Sequence, residues 1–476
     1  MNLDDKLKEL KEEVPEMNPS LEAKIYSKVD QKKARRNPIF NKLTLSIGSL
    51  VVSILIIVIS VVSFNQYEGN QMRSSTHLLK AVKEPSMQYD TSDSYAQFSK
   101  ELNQFASQLA SLAVEQLGQE GNTVVSPVSI FSALALAAEC SDGFTRSQLL
   151  DAMGMDYESL SLNYAKLYQE INTDDSYNSS KVKCKLTNSI WVDKNVSFKN
   201  SCLENLASKY FSYSHSMDLD KKNYVSRYIT DFVSKQTNGF LKPEYSVSEE
   251  TIFLLINTLY LKDTWLYTGR NIDLTESKYD FRNADGSTKR TKLMMGNYFN
   301  GKAVETEEYT QFYTSTYHGY SLHFIVPKDG YTVDQVMTPH TIAAIQEQGY
   351  QVYNEEMTEH YHTRTFFPEF SADSSLTLTS VLSRLGITNI FHPTDANFSN
   401  LTDNSIACND VSHYARLKVN RKGIEGSAVT FFEGATAPGP GEIKNVYYDF
   451  IVDRSFGYVI TNKNGVNLFS GIIHHI

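Results

Sequence analysis

Residues 251–265 read Thr-Ile-Phe-Leu-Leu-Ile-Asn-Thr-Leu-Tyr-Leu-Lys-Asp-Thr-Trp. From Thr251 to Leu261 nearly every side chain is apolar, with no alternation of wet and dry positions. A strand exposed on one face alternates, whereas a strand covered on both faces does not. Lys262 and Asp263 close the run with charge. The stretch predicts a buried central strand, and hence a sheet large enough to carry a layer on each side.

The flanking sequence supplies those layers. Before it, Ala96–Leu117 places Phe98, Leu102, Phe105, Leu109, Leu112 and Leu117 at helical intervals. Val128–Glu139 follows Ser126-Pro127, a helix-start pair. Gln148–Met153, Leu160–Ile171, Cys202–Lys209 and Val225–Gln236 also read as helices. After it, Tyr320–Val326, Arg364–Phe370, Ala415–Val419, Tyr447–Val452 and Tyr458–Thr461 read as strands. Helices first and strands later predict an α+β domain built on a large, mostly antiparallel sheet.

Composition agrees. The chain has 476 residues, 41% of them apolar, which is enough for a large core and excludes general disorder. With 23 Gly and 12 Pro, collagen-like and low-complexity classes are excluded. Four Cys exclude a disulfide-built scaffold, and their spacing does not say whether or how they pair. A net charge of −10 excludes sequence-independent binding of nucleic acid.

The N-terminal region differs in character. Leu43–Phe64 is an uncharged apolar stretch without Pro, Asn or Gln. As a helix it reaches roughly 33 Å, enough to span a bilayer core. It is longer than the apolar region of a cleaved leader, and no small-residue cleavage site follows it. Lys32, Lys33, Arg35, Arg36 and Lys42 precede it, while the nearest cation after it is Arg73. The positive-inside rule then predicts a cytoplasmic tail (1–42), a single transmembrane helix (43–64), a polar tether (65–94) and an extracellular domain (95–476) in the cell membrane.

Enzymatic fingerprints are missing: no C-x-x-C, H-E-x-x-H, G-x-S-x-G or phosphate loop occurs. His360 and His362, near Glu355, Glu356 and Glu359, lack further ligands at metal-site spacing, so no metal is expected. No cofactor is implied by any motif.

Several stretches, in order, resemble the serpin family of serine protease inhibitors. They are Asn122-Thr-Val-Val-Ser-Pro-Val-Ser-Ile130, Leu186-Thr-Asn-Ser-Ile-Trp191 and Leu255-Ile-Asn-Thr-Leu-Tyr-Leu-Lys-Asp-Thr-Trp265. Val411-Ser-His413 stands at the family's spacing before Arg421, where Asn420-Arg-Lys-Gly-Ile-Glu-Gly-Ser-Ala-Val-Thr430 is similar to the reactive-loop hinge. Asp453-Arg-Ser-Phe456 and Asn467-Leu-Phe-Ser-Gly471 resemble the closing motifs. The resemblance covers roughly residues 95–474. It implies a fold of three sheets and eight or nine helices with an exposed reactive loop. That loop is cut by a target protease and inserted into the central sheet, trapping the protease as an acyl-enzyme. The expected function is therefore a monomeric protease inhibitor, not an enzyme; the alternative is a non-inhibitory serpin-fold module for binding or adhesion. By carry-over, Ser126, Ser129, Asn257 and His413 form a hydrogen-bonded shutter beneath the sheet, and Trp265 lies at the top, where the loop enters.

The loop's own residues can be weighed against that mechanism. An inserted strand turns alternate residues to the core, where a charge costs several kcal/mol. Ile424, Gly426, Ala428, Thr430, Phe432, Gly434 and Thr436 share one parity and carry no charge. Glu425 and Glu433 both fall on the other, with Ser427, Val429, Phe431, Ala435 and Ala437. No Pro occurs from Gly423 to Ala437, so every residue there can donate to a neighbouring strand. The hinge departs from the family pattern at Arg421, where a Glu is usual, and at Ile424, Gly426 and Val429. Family spacing places the cut near Ala437-Pro438. Because Pro after the bond resists most serine proteases, Ala435-Thr436 and Thr436-Ala437 remain candidates. A cut at Lys444-Asn445 would leave an overlong insert containing Pro438 and Pro440. Small residues before the bond suit elastase-like or subtilisin-like targets.

Overall fold

The structure, a computed structural model, describes residues 77–80, 93–118, 121–174, 183–245, 247, 251–265, 272–296, 303–347, 359–408, 411–424 and 444–476. All of them belong to one compact unit, Met72–Ile476. The apolar stretch 43–64 and the tail before it lie outside the described residues.

In chain order, strand β1 (His77–Lys80) precedes helices α1 (Asp93–Leu117), α2 (Pro127–Cys140), α3 (Gly143–Met153) and α4 (Tyr157–Ile171). Next come β2 (Thr173–Asp174), β3 (Lys183–Asp193), α5 (Asn200–Lys209), β4 (Ser212–Met217), α6 (Lys222–Gln236) and β5 (Phe253–Thr264). The middle of the chain forms β6 (Tyr279–Arg282), β7 (Thr288–Thr291), β8 (Met294–Met295), β9 (Val304–Glu305), β10 (Tyr309–Ser315) and β11 (Ser321–Pro327). Helices α7 (Val333–Val336) and α8 (Pro339–Glu347) lead to β12 (Glu359–Phe367), β13 (Phe370–Thr377), α9 (Thr379–Arg384), β14 (Ser412–Asn420) and β15 (Gly423–Ile424). The chain closes through β16 (Lys444–Ile451), β17 (Phe456–Thr461) and β18 (Asn467–Ile473).

The main sheet runs β1-β4-β3-β5-β15-β14-β13, with β2 paired to β3. A second sheet runs β18-β17-β11-β10-β9, a third β16-β12-β8, and β6 with β7 makes a two-stranded ribbon. Pairing is mostly antiparallel; β3 with β4 and β12 with β16 are parallel. Nine α-helices occur among the described residues.

β5 is covered on both faces, as its unalternating run requires. Phe253, Leu259 and Leu261 join the main core with α1, α2 and the second sheet. On the opposite face Ile256 and Leu254 pack with Trp191 and with Val225, Ile229 and Val233 of α6. A buried Leu or Phe side chain contributes about 2 kcal/mol, so the residues on both faces of this strand anchor it in the sheet.

Three readings of the sequence are corrected. Helices and strands interleave rather than segregate, because β3 and β4 bracket α5 and α7–α9 fall late in the chain. The strand expected over Arg364–Phe370 is two strands: Pro368 has no N–H to donate, and pairing breaks between Phe367 and Phe370. Within the stretch read as a tether, His77–Lys80 is instead an edge strand. His77 faces Ser216, and Lys80 pairs with Glu204 at 2.9 Å, which closes the sheet's outer edge with a charged residue.

Candidate functional site

The site is the seam between β5 and β14. One edge of β5 is bonded to β3 along its length, from Lys262↔Lys183 to Phe253↔Val192. One edge of β14 is bonded to β13, from Phe370↔Val419 to Thr377↔Ser412. Their other edges face each other but share no ladder. Among the described residues, what bonds to both is β15: Gly423 faces Thr264 and Asn420, and Ile424 faces Asp263 and Val419. At this end one strand's width separates them, which puts β5 and β14 roughly 10 Å apart there. The chain leaves β14 at Asn420, turns through Arg421 and Lys422, and re-enters the sheet beside the strand it has just left.

The sequence dictates that tight return. Gly423 has φ +145° and approaches β5 so closely that a Cβ would collide with the Asp263 carbonyl and lie 2.8 Å from Thr264 Cα. Only glycine fits. Ile424 is fully buried beside Val419, and β14 alternates strictly: His413, Ala415, Leu417 and Val419 are buried, while Ser412, Arg416 and Lys418 are exposed. The parity containing Ile424 is therefore the inward one at the point where the loop begins.

Polar contacts hold the entrance. The Asp263 carboxylate, its side chain wholly buried, accepts from the Thr264 and His318 backbone N–H groups at 2.8 and 3.0 Å and meets His318 Nδ1 at 2.8 Å. Trp265, 1% exposed, donates its indole N–H to the Asn420 carbonyl at 2.8 Å, joining the end of β5 to the end of β14. It stacks edge-on against Phe367. Arg421, at the position where the resembling hinge has a Glu, donates Nε to the Ile272 carbonyl at 3.1 Å, and its backbone N–H goes to Glu369. Its side chain is thus satisfied by a carbonyl, with no ion pair among the described residues.

Below the seam lie the other residues singled out in the sequence. Ser126 precedes α2, and its N–H donates to His413 Nε2 on β14 at 3.1 Å. Among the described residues the Ser126 hydroxyl has no partner. Ser129, one turn further, donates to Asn257 Oδ1 on β5. Asn257 in turn donates to Asn188 on β3, which donates to the Tyr164 hydroxyl at 2.8 Å and the Tyr210 carbonyl at 2.7 Å. So Ser126 meets His413, and Ser129 meets Asn257, but the two pairs are separate networks. Sequence reasoning missed Asn188, Tyr164, Asp263 and His318. Asn188 stood inside the quoted 186–191 strand, yet only the β3–β5 register brings it opposite Asn257.

The remaining hinge residues, Glu425, Gly426, Ser427, Ala428, Val429 and Thr430, and the candidate cut residues Ala435, Thr436, Ala437 and Pro438, lie outside the described residues. Lys444 and Asn445 do not: they begin β16 and are laddered to Glu359 and His360. His360 and His362 lie on β12, and among the described residues no cluster of three or more His, Cys, Asp or Glu could hold a metal.

A family model described as Serpin (serine protease inhibitor) matches residues 100–476. The chain is 26% identical over 365 residues to an uncharacterized serpin-like protein of Methanosarcina acetivorans, covering 74% of this chain and 81% of that one. It is 25% identical over 381 residues to alpha-1-antiproteinase of Rattus norvegicus, covering 75% and 85%. Among solved structures, the thermophilic serpin tengpin in its native state aligns with TM-score 0.67 at 20% identity, covering 84% of this chain and all of that one. An Arabidopsis serpin in its native stressed conformation aligns with TM-score 0.66 at 22% identity, covering 81% and 99%.

Burial pushes the His413 imidazole down to about 4. The neutral ring accepts the Ser126 N–H; a protonated Nε2 would point a donor at a donor. With a folded value below the usual 6.5, the stabilisation is complete above pH 6.5 and is lost as pH falls from there through 4. The shift corresponds to about 3 kcal/mol. His215 and His323, lowered by burial to about 4 and about 3, add to the same trend. Urea unfolding at pH 7.5 and 4.5 should show a smaller acid loss in His413→Gln than in the wild type; equal losses would exclude His413 as a titrating contributor.

Proposed function

The chain belongs to the serpin family, and on that premise we propose that it is a protease inhibitor, not an enzyme. It traps its target by inserting the severed reactive loop between β5 and β14. The observation that carries this reading is the seam itself: two strands with no ladder between them, held one strand's width apart at the end where Gly423 and Ile424 are bonded to both.

The register supports it further. Continued beyond Ile424, the pairing would set Gly426 beside Leu417, Ala428 beside Ala415 and Thr430 beside His413, all buried positions of β14. Glu425 would fall between Lys418 of β14 and Lys262 of β5 on the outer face. Opposite charges across strands are favourable by a few tenths of a kcal/mol each. The 12 residues of β5 would take the loop from Gly423 to Gly434, about 40 Å of strand. A cut within Ala435–Pro438 would release a segment of that length. A cut at Lys444-Asn445 would require unzipping β16 first, since a protease needs a free extended backbone.

Small residues before the cut suit an elastase-like or subtilisin-like protease, acting on a monomer. We place the domain outside the cell on a single-pass anchor at residues 43–64, on the strength of that stretch's length and the cations before it. The departure at Arg421, whose side chain bonds the Ile272 carbonyl where the resembling hinge has a Glu, leaves a second reading, a non-inhibitory binding or adhesion module. That module would show neither a covalent adduct nor a rise in melting temperature after the loop is nicked.

Mixing the protein with pancreatic elastase or subtilisin should give an adduct that survives SDS, with a released peptide whose mass places the cut in 435–438. Degradation without adduct by both enzymes refutes trapping. Ala428→Arg should convert the inhibitor largely to a substrate, because the continued register sets it between the buried Ala415 and Leu259, where an unpaired charge costs several kcal/mol; unchanged inhibition would overturn the inward assignment of that parity. In membranes of producing cells the protein should resist alkaline extraction, and deletion of residues 43–64 should free it. Extraction of the intact chain by alkali would remove the anchor from the account.

A further inference from the structure

The C-terminal end of α2 meets the start of α5 at Cys140 and Cys202, whose sulfurs lie 3.8 Å apart. Both residues are buried. The contact is braced on both sides. Glu139, 3% exposed, accepts from Asn205 of α5 at 2.7 Å and from the Tyr157 hydroxyl at 2.6 Å. A cleft of about 250 Å³, lined by Glu139, Arg146, Tyr157, Lys199, Cys202 and Asn205, opens beside the pair.

We propose that Cys140 and Cys202 form a disulfide when the protein meets a small disulfide oxidant, which stitches α2 to α5. Closing the pair needs the sulfurs to approach from 3.8 Å to about 2.05 Å. Cys140 is the last residue of its helix and Cys202 the third of its own, so both sit where backbone gives most readily. Entry is through Cys202, which lines the cleft. The neighbouring thiol and burial push the Cys140 thiol well up, so it does not begin the exchange. The Cys202 thiolate attacks one sulfur of the oxidant RSSR, forming Cys202–S–S–R and releasing RS⁻. Cys140 then loses its proton and attacks Cys202 Sγ, displacing the second RS⁻. The two thiols are oxidised, RSSR is reduced to two RSH, and the two protons pass to the leaving thiolates. Cys184 and Cys408 take no part. The bond joins residues 62 apart and encloses α3, α4, β2 and β3 in a covalent loop.

The test uses the full chain and 2-hydroxyethyl disulfide, followed by alkylation in denaturant. The expected result is loss of two alkylatable thiols, a 140–202 linked peptide by mass spectrometry, and a melting temperature raised by roughly 5 °C that dithiothreitol reverses. Four alkylated thiols, a mixed disulfide that stops at Cys202, or a link through Cys184 or Cys408 would each overturn the proposal. Cys202→Ala should abolish both the link and the oxidant-dependent shift. A shift that persisted in that variant would also count against it.

Discussion

Backbone N–H and C=O groups in a protein interior must find partners, and in this molecule two central strands, β5 and β14, do not find them in each other. The rest of the structure is arranged around that unmade ladder. β3 and α6 fix β5 from one side, and β13 fixes β14 from the other. At one end Trp265 spans the two strands through the Asn420 carbonyl, and Asp263 with His318 holds the turn above them. At the floor, the start of α2 grips both sides: Ser126, just before the helix, bonds to His413 of β14, and Ser129, in its first turn, bonds to Asn257 of β5. This turn ties the two banks of the seam to each other. Each grip is one hydrogen bond, worth on the order of 1 kcal/mol.

The asymmetry of the two grips has a physical origin. On the β5 side, contact passes from hydroxyl to amide to amide to phenol, groups that stay neutral across the ordinary pH range. On the β14 side it passes through an imidazole, the one side chain here that changes charge within a few pH units of neutrality. Acid therefore acts on one bank of the seam before the other.

Much of this was legible in residue order. The unalternating run at 251–261 gave a strand buried on both sides, and the helical spacing of 96–117 gave α1 almost to its ends, because long periodic or long apolar stretches leave few alternatives. Glycine at 423 is what the tight return from β14 into β15 requires. The fine structure was not legible for reasons equally specific. A strand of two residues, β15, has no period to detect. The break at Pro368-Glu369 fell between Phe366-Phe367 and Phe370, aromatic residues that read as one strand. Asn188 reaches Asn257 only through pairing between strands 69 residues apart in sequence, and Cys140 reaches Cys202 only through helix packing. Contacts made by register or packing leave no trace in local pattern.

The arrangement of the C-terminal strands carries a consequence for the fate of the polypeptide. β16 lies in a different sheet from β5 and β14, while β17 is hydrogen-bonded to β11 and β18. Val125 and Ser470 bridge β18 to the segment before α2, and His474 is locked against Gly121. A chain divided anywhere between Ile424 and Lys444 would consequently remain one particle in native solution while separating into two polypeptides in denaturant. Its last three dozen residues would be retained as a non-covalent subunit of the body they had belonged to.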